Sequence, residues 1–303
     1  MGYSGRYHAA SLAAVFLALA IGILIGVGLG DNIVSGTTKG LEQSLKSDLS
    51  AARGRADELQ SQLNRHADFE EQAFPALTGN VLEDDRVAVV ALGALPDDLK
   101  GDVQAVVGPD SPSGAKLAEV AVVREPPDLA AVAGAAPKGS EGRHVRRDRA
   151  ALTAVAKRVG HALVVGGPTF KRFRGAMLDQ VSGRPGGIDA VIVIRARPED
   201  LEPHQAAETD ALESGLLDAL EGRGAIPVVG VERSDTDASS IGFFNSAGLT
   251  ATVDSVDLIS GRVALVYALN GSEGNYGIKA TADRLLPGLR HPRPPASVTV
   301  TPR

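Results

Sequence analysis

The chain has 303 residues, a formal charge of −6 and no cysteine. The acidic balance and an aromatic content of 4% without tryptophan argue against nucleic acid as a partner. The lack of cysteine excludes disulfides, cysteine–zinc sites and thiolate nucleophiles.

The first predicted element is apolar. Between Ala9 and Leu29 only Ser11 is clearly polar, and at helical rise this run spans about 30 Å, the thickness of a bilayer's hydrocarbon core. A transmembrane helix over 9–30 is therefore expected, after a short cytoplasmic tail, 1–8. Tyr3 and Tyr7 suit the interface, and Arg6 favours a cytoplasmic N-terminus with the following chain extracytoplasmic. The alternative is a signal peptide cleaved after Ala18-Leu19-Ala20, but the apolar run continues well beyond it. The glycines of IGILIGVGLGDN do not form a dinucleotide fingerprint, because Asp31 stands where the third glycine belongs. Gly22, Gly26 and Gly30 instead share one helix face, where two helices can approach closely.

A coiled-coil neck is predicted over 38–74. Leu45, Leu49, Ala52, Ala56, Leu59 and Leu63 alternate in steps of four and three, the spacing of a dimer seam. Pairing of the membrane helix and the neck implies a homodimer. The alternative is an amphipathic helix packed on its own domain. Pro75 is expected to end the helix.

Residues 83–288 read as an extracytoplasmic α/β domain with a mainly parallel, Rossmann-like sheet flanked by helices. Strands are expected at Val87–Leu92, Leu117–Val123, Ala190–Ile194, Val228–Val231 and finally Leu249–Val253. Helices are expected after an Asp97 cap, around Leu152–Leu163, over Thr169–Val181, through Leu212, Leu216 and Leu220, and after a Ser260 cap. The proline-rich stretch 289–303 reads as disordered.

No complete catalytic motif is present, so no enzyme activity and no cofactor are expected, and an extracytoplasmic α/β enzyme stands last among the alternatives. Ser113 and Lys116 match S-x-x-K without its companion motifs. Gly166-Gly167-Pro168 leads into a helix with Lys171, Arg172 and Arg174, which reads either as an anion site or as a helix break with a solvated face. The basic run Arg143–Arg149 reads as a solvated loop and helix start. Asp254 and Asp257 sit at a strand end, where two carboxylates serve a hard cation or cap a turn. The six histidines lack metal-ligand spacing.

Two blocks, YHAASLAAVFLALAIGILIGVGLGDNI and TVDSVDLISGRVALVYALNGSEGNYGIKATADRLLP, resemble the actinobacterial copper transporter family MctB, also met as SteB-like proteins. That resemblance implies an envelope protein linked to copper homeostasis or efflux. It also implies a second role, in which the outer part regulates a cell-wall hydrolase at division together with a cytoplasmic partner. Copper(I) prefers thiolate and thioether sulfur, and beyond the initiator this chain offers only Met177.

Overall fold

A computed structural model describes residues 5–137, 141–222 and 226–289, without the side chains of residues 5–6, 29–40, 141 and 143. The side chain of Asp31, the position of Gly30 on the predicted glycine face, and most of the predicted tail lie outside this description. The chain divides into two units, Met1–Asp68 and Phe69–Arg303.

The first unit belongs to α1, Gly5–Thr78, one uninterrupted helix where two elements were predicted. Its segment Tyr7–Gly28 has a mean hydropathy of 2.6 and is long and apolar enough to cross a membrane. Nothing lies within 4 Å of where side chains at Gly22 and Gly26 would begin. Farther along, Leu41, Leu45, Leu49, Leu59 and Leu63 are exposed. Side-chain pairs four residues apart support this stretch, including Lys46–Glu42 at 2.7 Å and Gln62–Glu58 at 2.9 Å.

Pro75 does not end α1, contrary to expectation. It sits in the last turn, and the loss of its N–H removes a single helical bond. Its own carbonyl still accepts from Gly79 N at 2.9 Å.

In the second unit the elements after α1 are β1 (Arg86–Gly93), α2 (Asp97–Val107), β2 (Lys116–Val123), α3 (Leu129–Ala135), α4 (Glu141–Val145), α5 (Arg149–Val165), α6 (Pro168–Met177), β3 (Leu178–Gly183), β4 (Ala190–Ala196), α7 (Pro203–Glu221), β5 (Val228–Val231), α8 (Ile241–Ser246), β6 (Ala251–Val253), α9 (Ile259–Leu269) and β7 (Gly274–Tyr276). The sheet order is β3-β2-β1-β4-β5-β6-β7. All neighbouring pairs are parallel except β2 with β3. Leaving β3 aside, the order is that of a doubly wound sheet whose direction of winding reverses between β1 and β4.

The strands are apolar on both faces because both are covered. Ala88, Val90, Leu92, Val191 and Val193 join a core with Leu152, Val159, Leu163, Leu212 and Leu216 of α5 and α7. Their alternates Val87, Val89, Ala91, Ile192 and Ile194 join a second core with Val103, Val106, Leu265 and Val266 of α2 and α9. The close approach of α5 and α7 depends on two glycines. A side chain at Gly160 would meet the carbonyl of Leu216, and one at Gly215 that of Thr153.

Several predicted boundaries are corrected. The helix expected over Thr169–Val181 ends at Met177, and Leu178–Gly183 is strand, because pairing with β2 supplies its backbone bonds. Pro96 and Leu258, not Asp97 and Ser260, occupy the cap positions of α2 and α9, and neither makes a side-chain capping bond. The strand expected last is followed by β7.

Candidate functional site

Open α/β sheets bind ligands outside the carboxyl ends of their strands. Here the chain crosses that edge in loops after β1, β2, β4, β5 and β6, and two clusters of charged side chains form there.

The first lies beyond β5 and β6. Glu232, 4% exposed, accepts from Ser239 Oγ at 2.8 Å, Ser240 N at 2.7 Å and Lys279 Nζ at 2.6 Å. Asp254, 1% exposed, accepts from the backbone of Ile278 at 2.8 Å and Lys279 at 2.9 Å. Gly277 makes this possible, since any side chain there would occupy the space of the Asp254 carboxylate. Asp257 accepts from Ser234 N at 2.7 Å and Ser234 Oγ at 2.5 Å. Burial pushes its carboxyl up, but the bonds from Ser234, its own backbone and the charge of Arg233 outweigh that and hold it below the ordinary value. Asp102, reaching in from α2, receives Arg233 on one oxygen and Arg262 on the other, the latter at 2.9 Å. Arg262 also donates to Val256 O at 3.2 Å.

Asp254 and Asp257, the sequence candidates for a cation, thus each receive donors from a different loop. Asp254 holds the turn after β7, and Asp257 holds the turn after β5. The resemblance block TVDSVDLISGR…NYGIK folds into this cluster: Gly261 lies against the carbonyl of Ser255, where a side chain would not fit. Asp102, Arg233 and Glu232 escaped the sequence reading, because the ion pairs Asp102–Arg233, Asp102–Arg262 and Glu232–Lys279 join residues far apart in the chain. No local spacing signals them.

The second cluster stands where the winding reverses. Arg195, at the end of β4, binds Glu213 of α7 through Nε at 2.7 Å and Nη2 at 3.1 Å, and its guanidinium lies 4.1 Å from the Phe243 ring centroid. Arg197 binds Asp210 at 2.6 Å and Ala206 O at 2.7 Å. Glu125 follows β2, beside Gly93, whose φ of 86° and crowded surroundings exclude a side chain. Both carboxyl oxygens of Glu125 are buried without a hydrogen-bond partner. Burial, reinforced by Glu213, pushes it up to about 8 against the opposing pull of Arg195 and Arg197. Its proton is therefore held more tightly than on an ordinary carboxyl. Its signal in the sequence is an acid between a strand end and the Pro126-Pro127 pair.

The remaining sequence candidates do not converge. Ser113 is buried and donates to Val106 O at 2.6 Å, while Lys116 pairs with Asp84 at 2.5 Å. The S-x-x-K residues therefore face different partners. Gly166-Gly167-Pro168 breaks α5 from α6, with Lys171, Arg172 and Arg174 exposed. His8, His66, His144, His161 and His204 are exposed on four different helices. Met177 is buried, 2% exposed. Among the described residues no three histidine or acidic side chains are grouped to hold a metal ion. With no cysteine, the donor set of the described residues does not fit a copper(I) site within one chain.

Fold and clusters together define an α/β protein, preceded by a long apolar helix, whose sheet edge is occupied largely by its own ion pairs. The profile of the family described as "Copper transport outer membrane protein, MctB" matches residues 3–287. The chain belongs to the MctB family. No curated protein and no solved structure matches it.

Proposed function

We propose that this protein is a single-pass, membrane-anchored envelope protein that supports copper homeostasis or efflux as a paired, non-catalytic scaffold. In this reading α1 crosses the membrane with its N-terminus cytoplasmic and pairs with a second copy through its exposed leucine stripe. The α/β unit on the far side then presents a binding surface. Family membership carries the link to copper.

One structural observation carries the scaffold role: Leu41, Leu45, Leu49, Leu59 and Leu63 are between 51% and 62% exposed along α1. A helix with such a stripe in water gains stability by burying it against another helix. The same stripe supports a second reading, in which the paired outer part regulates a cell-wall hydrolase or division partner.

The test compares a deletion strain complemented with the wild type and with a variant carrying serine at Leu45, Leu49, Leu59 and Leu63. The copper reading expects the variant to leave the strain copper-sensitive at normal protein levels. Copper tolerance equal to wild type, with crosslinking of copies abolished, overturns the scaffold. Normal copper tolerance in the deletion strain itself, with a division defect, selects the hydrolase reading.

A further inference from the structure

Glu119 lies in the middle of β2 and is 1% exposed, yet neither of its carboxyl oxygens has a hydrogen-bond partner. A bulge creates this arrangement. Val87 pairs with Leu117 and Ala88 with Glu119, so Ala118 is the extra residue. By the two-residue period of the strand, Glu119 shares the face of Ala121 and Val123, which belong to the larger apolar core. A carboxyl in such a place is tolerated uncharged and is costly once ionised.

One flank of this buried position is the edge of the sheet. β3 is the edge strand, antiparallel to β2, with Gly183 opposite Glu119. Of its six residues only Leu178 is buried. Its far end is tied by Arg124 to Asp179 at 2.6 Å, and its middle by Arg174 of α6 to Val181 O at 3.4 Å. The end nearest Glu119 is held by Arg184 N to Ala118 O at 2.9 Å.

Few charges face the group. β1 is apolar from Val87 to Gly93, and α3 has no ionisable residue. β3 contributes Asp179, already held by Arg124. The charged residues of α5, Arg149, Lys157, Arg158 and His161, are exposed. Arg174 is the one charge that acts on Glu119 appreciably, and it opposes the effect of burial, which still leaves the carboxyl at about 7.

We infer that β3 is a pH-governed flap: ionisation of Glu119 weakens the seating of β3 on β2, so that β3 opens more often as pH rises. Opening lets water reach the carboxylate, and Arg174, freed from Val181, becomes its counter-ion.

The test is hydrogen exchange by mass spectrometry on the full chain in detergent micelles, at about pH 5.5 and about pH 8.5. Rates are corrected for the intrinsic pH dependence of exchange. Linkage between the buried carboxyl and its ordinary value of 4.5 predicts that protection of β2 and β3 amides falls about 30-fold between those pH values. Protection in β4 and β5 remains higher than in β2 and β3 at both pH values, and its own decline reports the weakening of the whole fold, to which Glu125 also contributes. Glu119→Gln abolishes the fall, and Arg174→Ala moves its midpoint to higher pH. Glu119→Leu serves as a second uncharged variant should the glutamine disturb folding. An identical fall in β2 and β3 in the wild type and both uncharged variants overturns the proposal, as does protection of β2 and β3 equal to that of β4 and β5 at about pH 8.5, which is unfolding of the sheet as a whole.

Discussion

The hydroxyl of Tyr267, on α9, donates to the backbone carbonyl of Leu77, in the last turn of α1, over 2.9 Å. That carbonyl has no partner within its own helix, as is general at helix ends. Phe74 packs beside it against Val263 and Tyr267. The final turns of α1 are thereby fixed to the α/β unit. Tyr267→Phe keeps the ring and removes the bond, and the expected cost is about 1 kcal/mol. Chemical denaturation of the purified protein checks this, and an unchanged midpoint would show that solvent replaces the bond.

Asp102 joins two arginines from different loops and is largely buried. Asp102→Asn leaves Arg262 without its carboxylate and Arg233 with the exposed Asp235 alone. We expect a loss of roughly 2 kcal/mol, since removing one partner of a buried pair leaves uncompensated charge. Thermal unfolding measures it. Replacing exposed Asp235, which also meets Arg233 at 3.1 Å, serves as the control and is expected to cost much less.

Stability is expected to fall as pH rises. Glu125 is held at about 8 in the fold against 4.5 ordinarily, so the folded state binds its proton more tightly. Its contribution is complete below about 4.5 and disappears as pH passes about 8. Melting temperatures between about pH 5 and about pH 9 should therefore decline. Glu125→Gln should flatten the decline, leaving the smaller slope due to Glu119. A slope identical to wild type would mean that Glu125 finds a partner in solution.

Copper(I) should not bind the protein tightly. Competition against a colorimetric copper(I) chelator is expected to leave the metal with the chelator at micromolar protein. Stoichiometric, submicromolar binding would place ligands in an assembly or in the segments outside the described residues.

If two copies pair through their apolar helices, Gly26→Leu should lower crosslinking in membranes. Gly26 has open space beside it within one chain, so the substitution spares the fold and tests the contact alone.

The fold was legible where a run of residues meets one environment. Val87–Leu92 and Ala190–Ile194 are apolar throughout because both faces of those strands are covered, and both appear as strands. Leu178–Gly183 was misread because its exposed, polar residues take strand geometry from pairing with β2, not from their own pattern. Likewise β7, with three residues, is defined by its neighbour and by the Asp254 turn. Asp254 and Asp257 stood out in the sequence because they follow a strand, and in the fold each accepts hydrogen bonds from a neighbouring turn. Asp102, Glu119 and Glu125 were not legible: a lone acid reads as surface until the fold removes its water.

The placement of β1 in the interior of the sheet bears on how the chain is made. β1 follows α1 after a short turn, but its two flanking strands begin only at Lys116 and Ala190. During synthesis Val87–Leu92 therefore emerges as a sticky ribbon, open on one side until well over half of the polypeptide has been delivered. Until then the side of β1 that meets β4 has no partner strand within the chain, the kind of open edge that chaperones shield.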